Sequence, residues 1–236
     1  MIHDDQNRTI GIEGLCRDIT EQKKLDEQIK ANLQEKETLL QEIHHRVKNN
    51  MTVISSLLAL QMNSTDNKIA KEALQDSQNR VQSMSMIHET LYRSDNLADI
   101  DLATYLSDLG KVVLQNYAIS KTVHFKVKAE SVMIDSKLAS TVGLIVNELI
   151  ANSLKYAFTD DREGEILLEL KSNNESGVEL TVSDNGVGIP DGFNLKNANS
   201  LGLKLVKMLV ENQLDGSIKM ESNNGTKFTI KFNIEG

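Results

Sequence analysis

Apolar residues recur every seven positions over much of the first third of the chain. Leu33, Leu40, Val47 and Ile54 form one row, and Ile29, Ile43 and Leu57 fall in a second, interrupted by Lys36 and Asn50. Sevenfold spacing over several turns predicts a helix with a packing seam of the coiled-coil or bundle kind. The segment after Thr20, "EQKKLDEQIKANLQEKETLLQEI", has no Gly or Pro and is rich in helix formers, with Thr20 as its expected N-cap. The polar stretch "MNSTDNK", residues 62 to 68, breaks the pattern. A second helix then runs to about Ser94, with Ala70, Ser77, Met84 and Leu91 in one row and Leu74, Val81 and His88 in its companion. Two helices joined by a short polar turn make an antiparallel hairpin, and one apolar stripe per helix buries poorly without a second copy. A homodimeric four-helix bundle is expected.

Beyond "SDNLADID" the period changes. "VHFKVKA", "EILLELK", "VELTVSD", "SIKMES" and "TKFTIKF" alternate as strands. "LATYLSDLGKVVLQNY", "SKLASTVGLIVNELIANSLKYAF", opened by Ser136, and "SLGLKLVKMLVENQL" read as helices. Strands interleaved with helices predict an α+β sandwich beginning near residue 99. At the other end, "TIGIEGLCRDI", residues 9 to 19, reads as a strand too short to own a core.

Composition narrows the partners. The 236 residues carry 34 acidic and 26 basic side chains, a formal charge of −8, which argues against a general nucleic-acid footprint. The single cysteine, Cys16, excludes an intramolecular disulfide framework and suits a reducing, cytoplasmic setting. Apolar runs such as "VGLIV" are far shorter than the roughly 20 residues a membrane span needs, so no membrane contact is expected of this segment.

Three clusters carry candidate chemistry. In "EIHHRVKNN", His45 lies opposite both seam rows and faces solvent, with Glu42 and Asn49 on its side of the helix, able to hydrogen-bond the ring and select its free nitrogen. Such an imidazole is a competent nucleophile; ordinary solvated side chains give the same spacing. In "NELIANSLKYAF", Glu148, Asn152 and Lys155 share a stripe beside the apolar face of Leu138, Val142, Ile145 and Leu149. An amide oxygen from Asn152 suits Mg²⁺, and Lys155 suits a phosphate; a solvated helix face is the alternative. In "SDNGVGIP", Asp184 follows a strand and can accept from an exocyclic amine, while Gly186 and Gly188 allow close backbone approach. Gly202, where a later helix begins, leaves backbone N–H groups free for phosphate oxygens.

Taken in this order the segments resemble sensor histidine kinases, specifically the His-Arg-Val-Lys-Asn (HWE-like) subfamily, over about residues 36 to 234. "HHRVKNN" resembles the acceptor box, "NELIANSLKYAF" the N box, "DNGVGIP" the G1 box and "SLGLKLV" the G2 box of the GHKL ATP-binding fold. The resemblance implies that His45 is phosphorylated and that ATP and Mg²⁺ are the cofactors. It assigns Asn152 to the metal, Lys155 and Tyr156 to the phosphate and ribose side, and Asp184 to adenine N6. Gly186, Gly188, Ile189, Gly202 and Leu203 shape the pocket and lid, and Thr226 supports the adenine end. Residues 9 to 20 resemble the last strand of a PAS sensor and its connector. The implied organisation is a sensor tail at 1–20, a signalling coiled coil at 21–43, a dimerisation and phosphotransfer hairpin at 44–98 and a GHKL domain at 99–236. Partners would be a second copy, an upstream sensor and a response-regulator receiver domain whose aspartate takes the phosphoryl group.

One departure bears on mechanism. Where commoner histidine kinases have an acidic or amide residue after the acceptor, this chain has Arg46, so the base falls to Glu42 or Glu148. Arg46 and Lys48 stand where they can draw in a γ-phosphate or an acidic regulator. Competing functions are a non-catalytic dimeric adaptor, against which the intact Asn152, Asp184 and glycines argue, and a GHKL ATPase or serine kinase, whose activity replacing His45 would leave unchanged.

Overall fold

The computed structural model describes residues 2–3, 5, 9–11, 17–92, 100–116, 123–158, 163–173, 177–190, 193 and 201–234. The chain divides into two compact units, Met1–Arg46 and Val47–Gly236.

In the first unit, β1 (Ile2–His3) pairs antiparallel with β2 (Thr9–Gly11); the rest of the expected strand up to residue 16 lies outside the described residues. The first helix, α1 (Thr20–Ser64), runs on into the second unit as a single helix of 45 residues. Its start corrects one expectation: Thr20 is inside the helix, and its N–H donates to the Asp18 carboxylate at 2.9 Å. Hydrogen bonding by Thr20, from its side chain first and then its N–H, holds the Asp18 carboxyl below the usual carboxylate range.

In the second unit the chain turns at residues 65–67 into α2 (Lys68–Tyr92). The Asn67 side chain accepts from the N–H of Ala70 at 3.1 Å and caps α2. Lys48 pairs with Glu89 at 3.1 Å, and Gln78 donates to the Ser55 carbonyl at 3.3 Å, so the two helices run antiparallel as the sevenfold rows predict.

Among the described residues, the rest of this unit is a sandwich of a five-stranded sheet and three helices, with a small antiparallel pair, Ile100–Asp101 with Met133–Ile134, beside it. Its elements are β3 (Ile100–Asp101), α3 (Leu102–Asn116), β4 (Val123–Ala129), β5 (Met133–Ile134), α4 (Ser136–Asn152), β6 (Gly164–Asn173), β7 (Gly177–Asp184), α5 (Leu201–Asn212), β8 (Ser217–Ser222) and β9 (Thr226–Asn233). The main sheet has the order β4-β6-β7-β9-β8, parallel between β4 and β6 and antiparallel elsewhere. Register sets one apolar face: Leu168 lies opposite Val182, and Leu180 opposite Ile230, and all four are buried. A slip of one residue would turn this set outward, which is why alternation in the sequence fixes the pairing. The expected boundary near residue 99 falls at the edge of 93–99, outside the described residues.

The central helix is α4. Burial extends beyond the predicted face, to Ala139, Val146 and Ile150 as well as Val142, Ile145 and Leu149, because α2, α3 and α5 all pack against this helix. Ile87 and Leu91 of α2 join the same core. The cap of α4 is Asp135, whose carboxylate accepts from the Leu138 N–H at 2.7 Å, rather than Ser136. The expected long helix also does not stay α-helical. After Asn152 it widens into a π-helix, Ser153–Ala157, a local form that recurs at functional sites.

Candidate nucleotide-binding site

The widened turn places its side chains on the rim of a cleft between α4 and the sheet. Ser153, Leu154 and Ala157 turn inward, while Tyr156 is 64% exposed. The cleft, of about 230 Å³, is lined by Asn152, Tyr156, Asp184, Gly188, Ile189, Leu203 and Thr226, seven residues the sequence singles out. Ser153, Ala157, Pro190, Phe193 and Phe228 complete its wall.

Asp184 stands at the end of β7, and its carboxylate is held from three directions. Oδ1 accepts the N–H of Gly186 at 3.0 Å and of Thr226 at 3.1 Å, and Oδ2 accepts the Ser153 hydroxyl at 2.8 Å. A carboxylate fixed by donors on both oxygens keeps lone pairs for one more donor in a set direction. Apolar walls with one oriented acceptor suit a flat heterocycle bearing an exocyclic amine.

The glycines divide. Gly188 has φ +76°, the left-handed region that favours glycine, and it lines the cleft. Gly186 does not: it packs against Ala157, whose carbonyl accepts the Val187 N–H at 2.9 Å. Its absence of a side chain serves the seating of the loop on the π-helix.

A second, polar cavity of about 270 Å³ adjoins the first through Asn152 and Tyr156. Glu148, Lys155 and Gly202 line it. Here the structure adds what the sequence does not signal. Glu148 is buried and accepts from Arg80 Nε at 2.9 Å, and Lys155 pairs with Asp76 at 2.6 Å. Arg80 and Asp76 belong to α2, 68 and 79 residues away in the chain, beyond the reach of periodicity. Ser153 was findable, since it stands inside the N-box run.

On α1, His45 is exposed and His44 half-buried. Burial, and then the neighbouring His45, keep the His44 imidazole below its usual pKa. Glu42 does not stand free for the ring: its Oε1 accepts from Arg46 Nε at 2.8 Å.

Parallel and antiparallel strands under three helices, with an anchored aspartate and a glycine-lined cleft, define a nucleotide-binding sandwich. A family described as "Histidine kinase-, DNA gyrase B-, and HSP90-like ATPase" matches residues 138–236, and one described as "Histidine kinase" matches residues 42–117. The chain belongs to the sensor histidine kinases and carries their acceptor segment and ATP-binding domain. The sensor histidine kinase PdtaS of Mycobacterium tuberculosis is 31% identical over 214 residues, covering 90% of this chain and 42% of that protein. The PdtaS of Mycolicibacterium smegmatis is 29% identical, over 96% of this chain and 45% of its own length. The chain therefore spans less than half the length of these relatives. Among solved structures, the histidine kinase domain of a blue-light-activated histidine kinase from Erythrobacter litoralis superposes with a TM-score of 0.60. It has 23% identity and covers 79% of this chain and 94% of its own, which shows the shared fold. Among the described residues no helix is long and apolar enough to cross a membrane.

Proposed function

We propose that this chain is the kinase core of a cytoplasmic two-component sensor. In this reading it transfers the γ-phosphoryl group of ATP to His45 and passes it to an aspartate of a response-regulator receiver domain. The observation that carries it is the Asp184 carboxylate, fixed by Ser153, Gly186 and Thr226 at the floor of an apolar cleft. Adenine would lie against Ile189, Phe193 and Phe228 with its amine on Asp184, and the phosphates would run past Asn152 toward Lys155 and Gly202.

The residues present fit a magnesium ion brought in with the nucleotide. Asn152 lies where the two cavities meet, so its amide oxygen would be the ligand, while its buried Nδ2, with no hydrogen-bond partner among the described residues, is a donor free for a phosphate oxygen. Those residues hold no cluster of three or more His, Cys, Asp or Glu for a metal, which suits an ion carried by an amide, waters and substrate phosphates. When bound, the ion would neutralise charge on the phosphates. The protein's own part is positioning: Asp184 orients the base, Lys155 meets the phosphate, and the exposed imidazole of His45 supplies the attacking nitrogen. Glu42 and Glu148 remain the candidate bases, each released from its arginine before acting.

The domain plan that goes with this is a sensor tail at 1–20, a coiled coil at 21–43, a phosphotransfer hairpin at 44–98 and the ATP domain at 99–236. The protein would work as a homodimer under an upstream sensor. Incubation with γ-labelled Mg·ATP tests the reading in wild type, His45→Ala and Asn152→Ala. Acid-labile label in wild type, absent from both variants, is expected. Label that survives His45→Ala overturns the acceptor assignment, and bound ATP with no label at all favours a non-catalytic adaptor.

A further inference from the structure

Asp76 and Arg80 belong to none of the sequence motifs, yet each holds a residue of the N box. They stand four residues apart on α2, one helical turn, and so share a face. Their partners, Glu148 and Lys155, stand seven apart along α4 and the π-helix. The charges are crossed: Asp76 meets Lys155 at 2.6 Å and Arg80 meets Glu148 at 2.9 Å. Sliding α2 by one turn would set Arg80 against Lys155 or Asp76 against Glu148, so the pattern allows one docked register and penalises its neighbours.

These pairs differ from the surface pairs elsewhere in the chain. The Arg80 and Glu148 side chains are only 19% and 6% exposed, and removing one member of such a pair strands the other's charge out of water. The start of α5 rests on the same pair: a side chain at Gly202 would collide with the Glu148 carboxylate and come within 3.1 Å of the Arg80 guanidinium. One face of α2 thus covers the side of the site where phosphates would arrive.

We propose that Asp76 and Arg80 form an electrostatic latch that holds the second hairpin helix on the ATP-binding domain, and that nucleotide phosphate and the Asp76 carboxylate compete for Lys155. The inference rests on the proposal that Lys155 meets the nucleotide's phosphates. The Asp76 carboxylate at contact distance offsets the single charge of the ammonium and repels a phosphate that comes to it, so each anion weakens the other's hold on Lys155. Nucleotide binding and latch closure are then coupled and reciprocal: nucleotide loosens α2, and a signal that loosens α2 raises nucleotide affinity. Asp76 is in this sense a positioning residue for Lys155, and Arg80 for Glu148.

The test is a titration of the whole chain with a fluorescent ATP analogue, in wild type, Asp76→Asn, Lys155→Gln and the double variant, with thermal midpoints as a control for folding. Asp76→Asn is expected to tighten binding about fivefold or more, the lower end of common coupling between sites. In the Lys155→Gln background the same change is expected to do nothing, because the contested ammonium is gone. Amide exchange over residues 73–83 supplies the reciprocal readout: saturating analogue should speed it in wild type and leave Asp76→Asn, already fast, unchanged. Equal or weaker binding by Asp76→Asn, beside measurable wild-type binding, overturns the latch while leaving the nucleotide site intact. Failure of every folded variant, wild type included, to bind the analogue overturns the nucleotide proposal and the latch with it.

Discussion

On the proposed reading, Asp184 would work through what restrains it. Two backbone N–H groups and the Ser153 hydroxyl fix its oxygens, so Asp184→Asn keeps the shape but sets an NH₂ group against a donor and loses the charged acceptor. A hydrogen bond to a charged group contributes roughly 1.5–3 kcal/mol. Affinity for an ATP analogue should therefore fall by about tenfold or more in Asp184→Asn and by less in Ser153→Ala, measured by titration with the folded state checked by circular dichroism. Tyr105 presents the opposite case. Its hydroxyl is buried with no hydrogen-bond partner among the described residues, and burial pushes its pKa up. Because the folded value is the higher one, the stability Tyr105 contributes is intact below the unfolded phenol's pKa of about 10 and is lost as pH rises above it. Tyr105→Phe should be neutral or stabilising at pH 7, by up to about 2 kcal/mol for relief of an unsatisfied buried group. It should also flatten the alkaline fall of the urea midpoint between about pH 9 and 11, over the range where the unfolded phenol ionises.

At the level of elements, the strands were legible because a half-buried strand alternates with period two, and the hairpin because its seam repeats every seven residues. The main-sheet strands stand where the alternation puts them. Three features were hidden, each for a stated reason. Burial all round α4 depends on α2, α3 and α5, elements distant in sequence. The π-helix after Asn152 changes the ladder by one residue per turn and leaves no trace in the apolar pattern. The cap at Asp135 competes with an equally plausible Ser136, and only geometry decides between neighbours. In the site, residues inside contiguous boxes were readable, whereas Asp76 and Arg80 were not, since an ion pair between distant elements has no spacing rule. One loop ties the sheet to the site. Gly225 has φ +124°, and a Cβ there would collide with the Asp184 carbonyl. Gly225→Ala should destabilise the domain by at least about 1 kcal/mol, as backbone strain at such positions does, and should weaken nucleotide binding with it. Unchanged thermal midpoint and affinity would show that this turn does not position Asp184.

At the scale of the molecule, the apolar residues of α1 set the strongest demand. Leu33, Leu40, Ile54 and Leu57 are between 43% and 56% exposed in the single chain, and the helix that carries them has 45 residues, about 68 Å at 1.5 Å per residue. A helix of that length with an open apolar row gains its stability from packing rather than propensity, and a second copy offers the matching row. On the homodimer proposal, Leu40→Asp with Leu57→Asp should convert a dimer to a monomer in sedimentation at micromolar concentration, and should remove the concentration dependence of the thermal midpoint. The residues that line the cleft around Asp184 fall between 152 and 228, far along the chain from Leu40 and Leu57. The monomeric variant should accordingly bind an ATP analogue within about twofold of wild type, since coupling beyond one chain is what the substitutions remove. Binding that vanishes with the dimer would mean that the second copy completes the nucleotide site, and a wild-type chain that sediments as a monomer would leave the exposed row to some other partner.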